Sequence, residues 1–161
     1  MPYANRRSPA FSHARPGAYS YTPRRETCAS LDAYGAACLF DRWNAALATG
    51  HADAVAALYS EDAVLLPTFS SGPLKGRAAI ADYFRHFLQK QPQGQISHRS
   101  LQLGCNMAAD VGLYTFNVVQ PDGRSAAVPA RYSFLYQYRN GEWLIVHHHS
   151  AVLPEQETAH V

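Results

Sequence analysis

The sequence predicts an α+β domain in which about three helices come first and pack inside a strongly curved antiparallel sheet. Three observations predict it. Apolar residues recur at helical spacing up to residue 90, and beyond that point the chain is nearly continuous β-type sequence broken by turn signals. A length of 161 residues at 47% hydrophobic content suits one domain with one real core. Helices followed by a run of hairpins place an antiparallel sheet against helices on one side.

Order is expected to begin near Ser30, a plausible N-cap, before Leu39, Trp43, Ala46 and Leu47 mark a helical face that Gly50 closes. A short second helix is expected over Ala52–Tyr59. Val64-Leu65-Leu66 before Pro67 reads as a short buried strand, and the turn residues from Phe69 to Gly76 read as a loop. Ile80, Tyr83, Phe84, Phe87 and Leu88 give a third helix over Arg77–Lys90, stopped by Pro92 and Gly94. Four strands follow, at Ile96–Leu103, Ala108–Val119, Ala126–Arg139 and Glu142–Ser150. Pro121-Asp122-Gly123 and Asn140-Gly141 lie between them, and Asn-Gly between β-type residues is a strong hairpin signal. Long strands bend as they wrap around helices, and the hollow side makes a natural pocket.

Composition excludes several partners. The formal net charge is only +2, and Arg6, Arg7, Arg15, Arg24 and Arg25 all precede the first acidic residue, Glu26. Without that segment the chain is slightly acidic and has no obvious polyanion-binding face, so no nucleic acid is expected. No apolar run approaches the roughly 18 residues that span a bilayer, and no signal-peptide core follows the first arginines, so no membrane is expected and the protein is placed in the cytoplasm. Cys28, Cys38 and Cys105 lack metal spacing and read as incidental thiols in a reducing compartment. Residues 1–27 read as a basic tail, disordered or docking to a partner, with Pro2, Pro9, Pro16 and Pro23 spaced by seven. Residues 28–155 form the domain, and residues 156–161 a C-terminal tail.

The chemistry concentrates in His147-His148-His149-Ser150 near the end of the last strand. Side chains alternate across a strand, so His147 and His149 share one face while His148 and Ser150 share the other. Only a His-x-His pair can meet one metal, and a catalytic zinc needs a third ligand. His98, His86, Asp82 or Glu61 are candidates. Arg131 interrupts another strand: outward it is solvated, inward it needs an anion such as a carboxylate. Thr68, Tyr83 and Tyr114 offer hydroxyls to the hollow side, although a core tyrosine with a satisfied hydroxyl is the plainer reading of the last two.

Leu65-Leu-Pro-Thr68, Asp82-Tyr-Phe, Val111-Gly-Leu-Tyr-Thr-Phe, Ala130-Arg-Tyr-Ser-Phe and Trp143-Leu-Ile-Val-His-His-His-Ser together resemble the association-domain family of calcium/calmodulin-dependent protein kinase II. That family has the cone fold of nuclear-transport-factor-two-like and SnoaL-like proteins, and the likeness spans Phe40 to Glu155. The chain is most similar to a branch ending in an HHHSS motif, which includes the iota-class carbonic anhydrases. The resemblance implies reversible hydration of carbon dioxide to bicarbonate without a metal or other cofactor, at Thr68, Tyr83, His149 and the last motif position. Here that position is Ala151, on the face of His147 and His149. Ser150 lies on the other face unless a β-bulge rotates it, and Ser133 on the neighbouring strand is a possible substitute hydroxyl.

The resemblance implies further expectations. Tyr114, Arg131, Ser133, His147 and Ala151 would help to bind substrate. Zinc or manganese through His147 and His149 is the alternative to a metal-free site. A homo-oligomer, at least a dimer through the open sheet face, is expected. A docking tail on such an enzyme suggests recruitment to a protein partner, with Rubisco inside a carboxysome as the specific expectation. The reading from another class is a non-catalytic oligomeric module that binds small carboxylates through Arg131 and His147. A cyclase or isomerase comes last, because it needs a carboxylate base in an apolar pocket.

Overall fold

The computed structural model describes residues 27–68 and 70–154. The tail up to residue 26 with its expected docking to Rubisco or another partner, Phe69, and residues 155–161 lie outside the described residues. Helix α1 spans Ala33–Ala48, α2 Ala52–Ala56 and α3 Arg77–Phe87, followed by a 3-10 turn at Leu88–Lys90. Strands β1 (Tyr59–Leu66), β2 (Leu74–Lys75), β3 (Gln93–Gly104), β4 (Met107–Val119), β5 (Ser125–Arg139) and β6 (Glu142–Val152) form one sheet in the order β2-β1-β6-β5-β4-β3. None of the described helices is long and apolar enough to cross a membrane.

Helix α1 presents Ala36, Leu39, Phe40, Trp43 and Leu47 inward at the spacing of a single helical face. Its N-cap is Asp32 rather than Ser30: the Asp32 carboxylate accepts from Gly35 N–H at 2.7 Å. Ser30 cannot serve because its neighbours are fastened elsewhere. Ala29 N–H donates to Asn106 Oδ1 at 2.8 Å, and Cys28 is bonded to Cys105. The opposite end of the sheet is tied down by Asn44, whose amide accepts from Gly94 N–H at 2.8 Å and donates to Gly94 O at 2.9 Å.

The Cys28–Cys105 disulfide corrects the reading of three incidental thiols; Cys38 alone is free. Disulfides persist where thiols are not continually reduced, so cysteine usage no longer argues for the cytoplasm.

All sheet pairings are antiparallel except β1 with β6, which run parallel. Strand β1 begins earlier than its apolar tail suggested, at Tyr59, which pairs with Ile145 and does not end the second helix as expected. The Asn140-Gly141 hairpin forms as expected, both residues at positive φ (52° and 91°) as a type I′ turn requires. The centre of the concave face is aromatic. Tyr114, Phe116, Tyr132, Phe134 and Tyr136 from β4 and β5 close on Phe40 and Trp43 from α1 and Phe84 from α3. Ring centroids such as Trp43–Phe134 at 5.1 Å and Phe40–Tyr132 at 6.2 Å lie in the range of favourable aromatic pairs.

One irregularity positions the site. Tyr136 pairs with Ile145 but Leu135 pairs with His147, so β6 carries an extra residue, Val146, at a β-bulge. Before the bulge the odd-numbered residues Trp143 and Ile145 face inward. After it the even-numbered His148 and Ser150 do, opposite Phe134 and Tyr132.

Candidate functional site

A small cavity opens between α3, the end of β1 and the concave face, walled by Trp43, Leu65, Pro67, Thr68, Tyr83, Phe84, Phe87, Tyr114, Phe116, His148 and Ser150. It holds about 10 Å³ of free space, roughly one water. The alternation of β4 aims Tyr114 at it, α3 presents Tyr83, and Pro67 follows the end of β1 so that Thr68 meets Ser150 of β6.

Three hydroxyls meet at one end. Tyr114 Oη donates to Ser150 Oγ at 2.5 Å, and Ser150 Oγ is also hydrogen-bonded to Thr68 Oγ1. Burial pushes the Tyr114 phenol well above its ordinary range, against the lowering effect of its bond to Ser150. Burial does the same to Tyr83. Both phenols therefore stay protonated and able to donate. At the other end His148 is 3% exposed and stacked on Phe134 at 4.0 Å between ring centroids. Its Nδ1 lies 2.8 Å from Tyr59 Oη, while its Nε2 is buried without a partner. Burial pushes its pKa down to about 3, with smaller contributions from His147 and His149, so it is neutral at ordinary pH.

The structure divides the residues singled out from the sequence. Thr68, Tyr83 and Tyr114 line the cavity. His149 does not: the bulge puts it on the convex face with His147, Ser133, Arg131 and Ala151. His149 and Ala151 instead line an open groove of about 360 Å³ beside β2, which Thr68 and Ser150 also border. Arg131 is exposed and paired in register with Ala151, so it needs no buried anion. Substitution of the second motif serine by Ala151 therefore removes nothing from the cavity, to which the motif contributes Ser150. Among the described residues no three His, Cys, Asp or Glu side chains gather as a metal site, and His98, His86, Asp82 and Glu61 do not join His147 and His149.

Sequence reasoning passed over His148 and Asp110. Asp110 has the parity of Tyr114 on an unbulged strand, which marks it as inward. It is 1% exposed, accepts from Tyr132 Oη at 2.8 Å and from Arg99 Nε at 3.2 Å, and burial raises its pKa. This buried carboxylate lies outside the cavity lining, already engaged by its two partners.

The family profile of the calcium/calmodulin dependent protein kinase II association domain matches residues 35–154. The chain belongs to that family. A solved structure described as such an association domain, from Xanthomonas campestris, is 44% identical over 83% of this chain and 99% of its own, with a TM-score of 0.75. More distant structures share the fold alone. An NTF2-like protein with a cystatin-like fold from Novosphingobium aromaticivorans is 17% identical over 80% of this chain and 94% of its own (TM-score 0.61). A nuclear transport factor 2 (NTF2-like) superfamily protein from Salmonella enterica is 17% identical over 76% and 92% (TM-score 0.63). No curated protein matches. In this association domain the convex face of the sheet is unlike a solvated surface. Leu66, Val111, Leu113 and Leu135 stand half-buried around His147 and His149.

Proposed function

We propose that this association domain hydrates carbon dioxide reversibly to bicarbonate in the cavity beneath α3, as an iota-class carbonic anhydrase, and works as at least a dimer through its convex sheet face. The observation that supports the reading is the donor balance of the cavity. Thr68, Ser150 and Tyr114 carry three hydroxyl protons and make two mutual hydrogen bonds, which leaves one proton uncommitted. Tyr83 adds a protonated phenol. No Asp, Glu, Lys or Arg among the described residues lines the cavity. A neutral, donor-rich pocket suits carbon dioxide, which accepts hydrogen bonds and donates none.

In hydration the water oxygen bonds to carbon, one carbon–oxygen π bond opens to leave charge on oxygen, and the water's proton passes to solvent. Hydroxyls fixed where that charge develops stabilise it without reorganising. Thr68 and Tyr83 hold the substrate oxygens in this scheme, and Ser150 takes the role first given to the final motif position. The same surplus of donors also favours a second reading, a non-catalytic module that binds small carboxylates.

Stopped-flow carbon dioxide hydration on metal-analysed protein, with and without a chelator, separates these readings. Activity is expected to survive chelation and to fall by about 100-fold or more in the Thr68→Ala, Tyr83→Phe double variant. Ala151→Ser should change it by no more than about two-fold, as for a surface position. Full activity in the double variant would sink the assignment. An inactive wild type that binds acetate or bicarbonate calorimetrically would leave the binding module. Loss on chelation with recovery by zinc or manganese would move the chemistry to His147 and His149.

A further inference from the structure

His148 is held from behind by two side chains that do not touch the hydroxyl cluster. Trp43 Nε1 donates to Tyr59 Oη at 3.0 Å, and the same oxygen lies 2.8 Å from His148 Nδ1. Trp43, Tyr59 and His148 are all essentially buried, and they come from α1, β1 and β6. An indole N–H can only donate. Tyr59 therefore accepts from Trp43 and keeps one proton of its own to place. His148 Nδ1 is the acceptor it reaches. If Nδ1 carried the proton instead, the Tyr59 oxygen would accept twice and its hydroxyl proton would be stranded in the aromatic core, an arrangement that buried polar groups avoid.

We infer that Trp43 and Tyr59 are positioning residues that fix His148 as the Nε2–H tautomer, so that the imidazole offers the cavity's ligand a hydrogen-bond donor and not a base. The unpartnered Nε2 is then an N–H waiting for an acceptor oxygen, and the ligand class it takes is a carboxylate, bicarbonate or carbonyl group. The tautomer stands on the hydrogen-bond geometry alone; naming bicarbonate as the ligand rests on the hydration reading above. A proton on Nδ1 would have to displace the Tyr59 hydroxyl, so His148 does not collect the proton released by water. Its depressed pKa agrees. The groups packed around the ring are the neutral Trp43, Tyr59 and Phe134, and its charged-capable strand neighbours His147 and His149 lie on the opposite face.

Imidazole nitrogen NMR on the full chain labelled with 15N-histidine tests this, with His148 assigned from a His148→Gln spectrum. Expected are an acceptor-type Nδ1 and a protonated Nε2, and displacement of the Nε2 resonance on titration with bicarbonate. In Tyr59→Phe, which keeps the ring, the Nδ1 resonance should move downfield as it loses its donor. A protonated Nδ1 in the wild type, or an unmoved Nδ1 in Tyr59→Phe, would overturn the inference. The wild-type spectrum decides the tautomer even if the variant does not fold. An Nε2–H tautomer with no stopped-flow hydration would leave the positioning role standing and remove the hydration reading; hydration with an Nδ1–H tautomer would do the reverse.

Discussion

Among single side chains, His148 couples the site to stability. Unfolded, it titrates near the ordinary value of 6.5; folded, burial holds it near 3. Between those values the unfolded chain binds the extra proton, so stability is full above about pH 6.5 and falls as the pH drops. The slope is about 1.4 kcal/mol per pH unit. His147, lowered by partial burial, acts in the same direction. Asp110, raised by burial, opposes it only lower, around its own range. Urea unfolding at about pH 7 and about pH 5 should show the loss, and His148→Gln should flatten it. A wild-type stability unchanged over that interval contradicts a neutral buried imidazole. Tyr83 and Tyr114 were readable as inward hydroxyls because helix and strand periodicity extends to them, and Thr68 because the Leu65-Leu-Pro-Thr68 resemblance singled it out. His148 was not, because its face depends on the bulge at Val146, two residues upstream.

At the scale of elements, the sheet is fastened by close backbone approaches that side-chain patterns do not advertise. Gly112 on β4 is one. A Cβ there would lie 1.9 Å from the His98 carbonyl oxygen on β3, where the register slips between Ile96 and His98. Neither strand backbone can yield without breaking pairings, so Gly112→Ala should cost about 3 kcal/mol or more, at or beyond the upper end for overpacking. Denaturant melts check this, with the Gly72→Ala variant as a contrast in open space at an ordinary backbone conformation. The helices and the long strands were legible from periodicity and from the Asn-Gly turn. The first half of β1 was not, because Tyr59 reads as the end of the second helix and the polar Ser60, Glu61 and Asp62 carry no strand signal. Ser60 is nevertheless buried and bonded to Asp62, while Arg77 donates to the Tyr59 carbonyl at 2.7 and 3.0 Å. The two-residue β2 is too short to leave a pattern at all.

For the whole molecule, the decisive link is covalent. The disulfide closes a loop across 77 residues of sequence, from the segment before α1 to the β3–β4 turn. By chain entropy a loop of that length contributes roughly 4.5 kcal/mol. Reduction, or Cys105→Ser, should therefore lower the unfolding free energy by several kcal/mol; calorimetric scans with and without reductant measure it, and coincident transitions would show that the clasp adds nothing. Three unpatterned cysteines gave no hint of the pairing, because it depends on a tertiary contact between distant segments. The parallel β1–β6 pair was equally hidden, since hairpin signals report only neighbours in sequence. The cone itself was legible, because its curvature follows from long strands wrapping around an aromatic helix face.

The bulge at Val146 acts as a parity switch within β6, and the sequence beside it is built unevenly with respect to that switch. Straightening the bulge with every residue kept would turn His147 and His149 inward and His148 outward, yet an imidazole would still face the core. The hydroxyl has no such redundancy, because the same slip turns Ser150 outward and brings Ala151 to the inner face. The histidine run is thus degenerate in register, and the Ser–Ala step that follows it encodes which register is correct.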